Sequence, residues 1–286
     1  MTAFAENRSA CQIAMDHINI IKMSTDYLEI NRESWNKRLE SHVASDFYNV
    51  PEFLAGKCSL KSIELELLGD IRDQRILHLQ CHFGQDSISL SRRGAIVTGV
   101  DFAENCINYA NKMAKELNED VSFICCDVYS VPETINEQFD IVFTSYGTIG
   151  WLPDIDKWAK TIAHCLRPGG KLVFVEFHPV VWMFDDDFEK VAYNYFNSEP
   201  IIETIEGTYA DRTVKNSYRS ITWNHSLSEV INALLSNGIQ LLQFDEYDYS
   251  PYNCLNHLEK IDDSIFRVKH LKDHIPMVYS IVGRKS

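Results

Sequence analysis

Short apolar runs alternate along this chain with longer stretches whose apolar residues recur every three or four positions. Runs at 75–79, 96–100, 121–125, 139–144 and 171–177 read as strands. Between them, 86–93, 103–117 and 154–166 read as helices, the second carrying Ala103, Ile107, Ala110, Met113, Ala114 and Leu117 at helical spacing. Arg167-Pro168-Gly169-Gly170 reads as a turn before the fifth strand. Regular alternation of this kind predicts a parallel sheet with right-handed crossovers. Ahead of it, 26–39 reads as an amphipathic helix with Leu28, Trp35 and Leu39 on one side, and 59–68 as another, stopped by Gly69.

After His178 the rhythm changes. Residues 179–222 hold Asp185-Asp186-Asp187, many tyrosines and two β-rich runs, 201–205 and 218–223, which read as an inserted hairpin or cap. A helix at 226–237 and strands at 239–246 and 277–283 follow, with 247–276 reading as irregular. The expected organisation is a flexible leader at 1–25 and one domain at 26–286. Within that domain, 26–70 forms a helical lid and 179–225 a substrate-side insert.

Composition narrows the function. The 286 residues carry a formal charge of −14 and no cluster of Lys and Arg, which argues against a nucleic-acid partner. The first 23 residues contain no continuous apolar stretch, so neither a signal peptide nor a membrane span is expected there. Eight cysteines without a CxxC pair suggest neither a disulfide framework nor a zinc site. Cys125 and Cys126 read as reduced core residues of a cytoplasmic protein. Asp185–Asp187 read as a solvated loop, and no metal is expected.

The chemistry lies in residues 76–101, ILHLQCHFGQDSISLSRRGAIVTGVD. A strand enters a tight turn at Gly84, a helix follows, and a second strand ends on Asp101. An open parallel sheet makes a nucleoside pocket in this order: the ligand's charged part sits at the loop and helix N-terminus, and the acid holds a ribose hydroxyl. The absence of GxGxxG argues against an NAD-dependent oxidoreductase.

Together with Asp127 after strand three, FDIVFTSYG at 139–147 and LRPGGKLVFVEFHP at 166–179, this segment resembles the class I S-adenosylmethionine-dependent methyltransferases. NRESWNKR (31–38), LHLQCHFGQDS (77–87) and GTIGWLPD (147–154) are similar to a bacterial subgroup of small-molecule methyltransferases. The resemblance implies a doubly wound, mostly parallel, Rossmann-like sheet of seven strands, the last antiparallel, with S-adenosyl-L-methionine across the strand ends. It places Gly84 at the last glycine of a GxGxG loop, with Gln80 and His82 at the first two and Cys81 and Phe83 between them. It places His78 where an acid usually holds the cofactor's amino group. Asp101 matches the ribose-binding acid, with Phe102 facing the adenine. Asp127 matches the acid accepting from the adenine amino group, with Val128 alongside. Ser145, Tyr146 and Gly147 match the segment facing the methionine moiety and the acceptor.

With two glycines missing, the backbone at 80 and 82 is expected to avoid positive φ or the loop to be shaped differently. Gln80 and His82 then project near the sulfonium. Tyr27, Trp35 and Arg38 lie on the lid helix, where Tyr27 or Arg38 could meet the methionine carboxylate. No catalytic residue is fixed; His178, beside Glu176 as a potential acid–base pair, and Tyr146 are the candidates. The acceptor pocket is expected from Tyr146, Trp151, Trp182, Phe184, Tyr193, Tyr195, Tyr209 and Trp223, suiting an apolar or aromatic small molecule. The expected protein is a cytoplasmic monomer or homodimer that transfers a methyl group to such an acceptor. A methyltransferase fold that binds the nucleoside without turnover is the alternative, motivated by the altered loop.

Overall fold

A computed structural model describes residues 26–196 and 199–286; the leader expected at 1–25 lies outside them. Helices α1 (Tyr27–Ala44), α2 (Val50–Leu54) and α3 (Ser62–Leu68) precede the alternating part. That part runs β1 (Arg75–Leu79), α4 (Gln85–Arg92), β2 (Ile96–Asp101), α5 (Glu104–Leu117), β3 (Val121–Cys125), α6 (Val131–Thr134), β4 (Phe139–Ser145), α7 (Ile155–Cys165) and β5 (Leu166–Phe177). The insert holds β6 (Ile201–Glu206) and β7 (Ser217–Thr222), followed by α8 (Leu227–Ser236), β8 (Ile239–Tyr247), β9 (Leu258–Asp262), β10 (Ile265–Val268) and β11 (Val278–Lys285).

The seven-stranded sheet has the order β3-β2-β1-β4-β5-β11-β8. Its strands are parallel except β11, which pairs antiparallel with both β5 and β8. The expected doubly wound sheet is therefore observed. Successive side chains on a strand face opposite sides, and the core divides accordingly. Ile76, Val97, Phe143 and Val173 pack with Phe53, Ile63, Ile88, Ile107 and Met113. Leu77, Leu79, Val142 and Phe174 pack with Trp158, Ile162, Val230 and Leu234. Helix α7 begins where the Asp154 side chain accepts from Lys157 N, and α8 where Ser226 accepts from Glu229 N, both ordinary N-caps.

Several details depart from the sequence reading. Strand β5 starts at Leu166. Phe139 pairs with Leu166 and Ile141 with Lys171, so 167–170 loop out of one continuous strand instead of ending a helix before a new one. The stretch 247–276 is not irregular throughout: β9 and β10 form an antiparallel hairpin. Cys125 is exposed and Cys126 half-buried, because β3 lies at the sheet edge; neither is a core residue. The lid helix is turned from its expected face. Its buried stripe is polar, Asn31, Ser34, Arg38 and His42, while Leu28, Trp35 and Leu39 are only partly buried. Asn31 explains part of this: its amide donates to Ile221 O (2.8 Å) and accepts from Ile221 N (2.9 Å), clamping α1 to β7. The β6–β7 hairpin is otherwise as expected.

Gly99 in β2 carries a packing prediction. A Cβ there would lie 2.8 Å from the Phe123 ring and 3.0 Å from Cys81 Sγ. Gly99→Ala is expected to destabilise the fold by about 1–3 kcal/mol through overpacking, read as a lower urea midpoint with unchanged m-value.

Candidate functional site

The loops at the carboxyl ends of β1, β2 and β4 enclose a cleft lined by Tyr27, Leu28, Asn31, Gln80, Val100, Asp101, Phe102, Cys126, Asp127, Val128, Trp151 and Leu152. Open α/β sheets place their ligand sites at this rim. Tyr27, Gln80, Asp101, Phe102, Asp127 and Val128 were singled out from sequence, and they meet here.

The β1 loop decides the geometry. Gln80 (φ 56°), His82 (φ 52°) and Gly84 (φ 88°) all take left-handed backbone. The expectation that 80 and 82 avoid positive φ is thus wrong: the loop keeps a glycine-type backbone with side chains on it. Such residues cost on the order of 1–3 kcal/mol each and persist where their surroundings hold them. Asp101 provides one hold, accepting from His82 N and Ala103 N at 2.9 Å each. Gln80 provides another, its Nε2 donating to Thr148 O (2.8 Å) and tying the β1 loop to the β4 loop. Gly84 itself is required by packing, since a Cβ there would meet the Phe123 ring at 2.6 Å.

Asp101 is buried, and loss of solvation pushes its carboxyl up to about 6 despite the backbone donors. Asp127 caps the turn at 128–130 by accepting from Tyr129 N (2.9 Å), and burial raises its carboxyl too. Each carboxylate oxygen retains an acceptor site beyond its backbone partner.

The segment after β4 is pinned from below. Glu176, buried on β5, accepts from the backbone N–H groups of Gly147, Thr148 (2.7 Å), Ile149 (3.2 Å) and Phe177 (2.7 Å), and from the Thr148 hydroxyl (3.1 Å). Glu176 is therefore committed to the loop and does not pair with His178. His178 Nδ1 accepts from Val180 N (3.2 Å), and its Nε2 lies 2.8 Å from Glu246. His78 also sits in the core. Its Nδ1 lies 2.8 Å from Ser87 Oγ, its ring packs on Phe143, and burial pulls it down to about 3, which leaves it neutral. Cys81 and Phe83 are likewise core residues.

The inner face of α1 closes the site. Arg38 is 5% exposed and pairs with no carboxylate among the described residues. Its guanidinium lies 5.2, 5.5 and 5.1 Å from the ring centres of Trp35, Trp151 and Tyr218. Burial lowers its pKa from the ordinary value. One turn further on, His42 Nδ1 lies 3.3 Å from His82 Nε2, and burial with the nearby Arg38 pulls His42 down to about 3. Ser34 Oγ, Arg38 Nε, His42 Nε2, Gln80 Oε1 and Tyr218 Oη are buried without a hydrogen-bond partner. Native structures leave few such atoms, and of these residues Gln80 lines the cleft.

Beside this face lies a cluster of packed aromatic rings. Tyr146 (φ 44°) has its ring centre 5.1 Å from Tyr252 and 5.7 Å from Phe177; Phe47 stacks on Tyr252; and Tyr48 Oη lies 2.5 Å from Tyr209 Oη. Tyr146 donates to Glu64 Oε2 (2.9 Å). Of the aromatics expected to line an acceptor pocket, Trp151 lines the cleft, Tyr209 and Tyr146 belong to the packed cluster, and Trp223 packs on Tyr27. Trp182 touches that cluster only through Phe177. Phe184 packs on Phe188 in a satellite cluster, Tyr193 bonds Glu203, and Tyr195 bonds Leu227 N. Glu64, His42, Tyr48 and Tyr252 escaped the sequence reading, and Glu176 entered it only as a partner for His178. Only Glu64 left a signal, as the acid in the first turn of a short apolar helix.

Residues 76–170 match a family model described as a methyltransferase domain. A Ubiquinone biosynthesis O-methyltransferase from Coxiella burnetii (strain Dugway 5J108-111) is 26% identical over 216 residues, covering 74% of this chain and 84% of that protein. S-adenosylmethionine-dependent methyltransferases from Clostridium acetobutylicum and Mesorhizobium loti share the fold, with TM-scores of 0.55 and 0.51 and identities of 13% and 18%. These cover 88% and 81% of this chain and 99% and 100% of theirs. Residues 76–170 thus carry a methyltransferase domain, and the chain shares the fold of S-adenosylmethionine-dependent methyltransferases. No described helix is long and apolar enough to cross a membrane.

The buried acids generate a pH prediction. Burial raises Glu64 to about 7, with Asp86 adding to the effect. A carboxyl that binds its proton more tightly in the fold stabilises it fully below the unfolded pKa, and this advantage is lost as pH rises through the folded value. Glu64→Gln removes that titration. In calorimetry of the ligand-free protein, its Tm relative to wild type is expected to rise by a few degrees between about pH 5 and pH 8. A pH-independent difference would contradict the assignment.

Proposed function

We propose that this enzyme methylates a hydroxyl on a small aromatic molecule. S-adenosylmethionine, when bound, supplies a methyl group already activated on a sulfonium sulfur, so the protein's task is alignment and exclusion of water. The residues present fit that cofactor. Asp101 and Asp127 offer acceptors for ribose hydroxyls and an adenine amino group, with Phe102 and Val128 as apolar walls. Arg38 would take the methionine carboxylate and Gln80 Oε1 its ammonium. The single observation that carries this reading is the cleft lined by Asp101, Asp127 and Gln80, whose amide oxygen, like Arg38 Nε on the nearby helix, is buried without a hydrogen-bond partner. A zwitterion attached to a nucleoside satisfies both.

The reading of an aromatic acceptor is supported by the aromatic side chains Tyr146, Tyr252, Phe177 and Phe47 clustered beyond β4, whose rings suit a planar partner. The O-methyltransferase named above is consistent with oxygen as the attacked atom. The Trp35, Trp151 and Tyr218 rings around Arg38 lower the local dielectric and strengthen its hold on an anion.

S-adenosylhomocysteine is expected to raise the Tm of the wild type, and Asp101→Ala to abolish that shift. Arg38→Met is expected to weaken S-adenosylhomocysteine about ten- to hundredfold, the worth of one charge-assisted contact. It should leave 5′-methylthioadenosine, which lacks the amino acid, unchanged within about twofold. Calorimetric titration of both ligands reads this directly; equal losses for the two would remove Arg38 from the carboxylate.

A further inference from the structure

We propose that helix α1 is a gate over the cofactor cleft, that it turns about the 45–49 segment to admit the nucleoside, and that Asn31 is its latch. The inference rests on the reading of that cleft as the cofactor site and adds how the cofactor enters. The cleft keeps a free volume of about 20 Å³ between its walls. That is room for about one water molecule, whereas sites that bury small ligands offer roughly 300–1,000 Å³. A nucleoside therefore enters only when a wall moves.

Three groups of residues make the walls. Val100, Asp101 and Cys126 stand at the ends of β2 and β3, strands paired with their neighbours, and Cys126 N donates to Asp101 O (3.0 Å). Trp151 and Leu152 belong to the β4 loop, which Glu176 holds at Thr148 and Ile149 and which the insert holds through Trp223 N on Gly150 O (2.8 Å). Tyr27, Leu28 and Asn31 come from the start of α1. Among the described residues the ion pairs of α1, Arg32–Glu29 and Lys37–Glu33, stay within the helix. Side chains alone tie its cleft end to the rest of the molecule, which makes it the wall that can turn as a unit.

The two ends of α1 have different attachments. At the C-terminal end, Ser45 N and Oγ donate to His42 O (3.2 and 2.6 Å), and the chain passes through Asn49 in left-handed backbone (φ 40°) into α2. The helix has 18 residues, so Tyr27 lies about 27 Å from that turn, and a rotation of about 15° carries it about 7 Å. At the cleft end, Asn31 spends both halves of its amide on Ile221 (2.8 and 2.9 Å). Tyr27 meets Trp223 and Trp35 meets Trp151 edge-on, with ring centres 5.3 and 5.1 Å apart. The inner stripe offsets these contacts. Ser34 Oγ, Arg38 Nε and His42 Nε2 are buried without partners, and turning α1 outward returns them to water.

Cys126 reports on the gate without any ligand. It is half-buried in the cleft, and Cys58, exposed ahead of α3, serves as the control. In the ligand-free protein, Asn31→Ala is expected to speed alkylation of Cys126 by iodoacetamide about tenfold and to leave Cys58 unchanged within about twofold, read by mass spectrometry of the peptides. Stopped-flow tryptophan fluorescence supplies a readout on the wild type. Its observed rate of S-adenosylhomocysteine binding should level off with rising ligand at the rate of gate opening. 5′-Methylthioadenosine should reach the same ceiling, since one opening serves both, and Asn31→Ala should raise that ceiling about tenfold. A wild-type rate that climbs linearly without a ceiling, ceilings that differ between the two ligands, or a Cys126 alkylation rate indifferent to Asn31→Ala would each overturn the proposal. Failure of the wild type to bind either ligand would strike the cofactor reading, and Cys126 alkylation would still decide whether α1 opens.

Discussion

The site depends on one buried carboxylate. Glu176 sits inside the sheet with no cation beside it among the described residues, and four backbone N–H groups and a hydroxyl supply its solvation. Those donors belong to the loop after β4 and to the next residue on β5. Holding Glu176 and shaping the loop are thus the same event. The loop in turn presents Tyr146 to the aromatic cluster and Thr148 O to Gln80. Removing the carboxylate would leave several buried donors unmet at once, a cost well above that of a single hydrogen bond.

From that anchor the β1 loop becomes intelligible. Its glycine-type backbone is built from Gln80 and His82, at a cost in backbone strain. The side chains do work that glycines could not. Gln80 bridges two loops and leaves its amide oxygen in the site, while His82 meets His42 on the lid. Asp101 stabilises the strained turn through His82 N and still faces the cleft, so one acid both shapes the loop and offers a ligand contact.

Helix α1 buries a polar stripe where an apolar one would add stability. A helix that buries Asn31, Ser34, Arg38 and His42 gains little from apolar burial. Its attachment comes from the Asn31 clamp on β7 and from tryptophan and tyrosine rings around Arg38. The unpaired atoms along its inner stripe are those a zwitterionic ligand would satisfy.

The sheet, its order of elements and the two acids at 101 and 127 were legible in the sequence. Strand and helix periodicities are local, and an acid ending a parallel strand must lie at the sheet's rim. The positive φ at 80 and 82 was not legible, because local preference favours glycine there and only the contacts of Asp101, Thr148 and the lid hold the backbone against it. The face of α1 was misread for a related reason. Periodicity assigns apolar residues to the interior, but this helix covers a polar site. Glu64, Glu176 and His42 lie far in sequence from the residues they serve, and burial, which makes their charges and tautomers consequential, exists only once the chain has folded. The sequence determined which sheet would form and where its rim would be. Tertiary structure alone decided which buried polar groups meet at that rim, and which are left without partners for a ligand to complete.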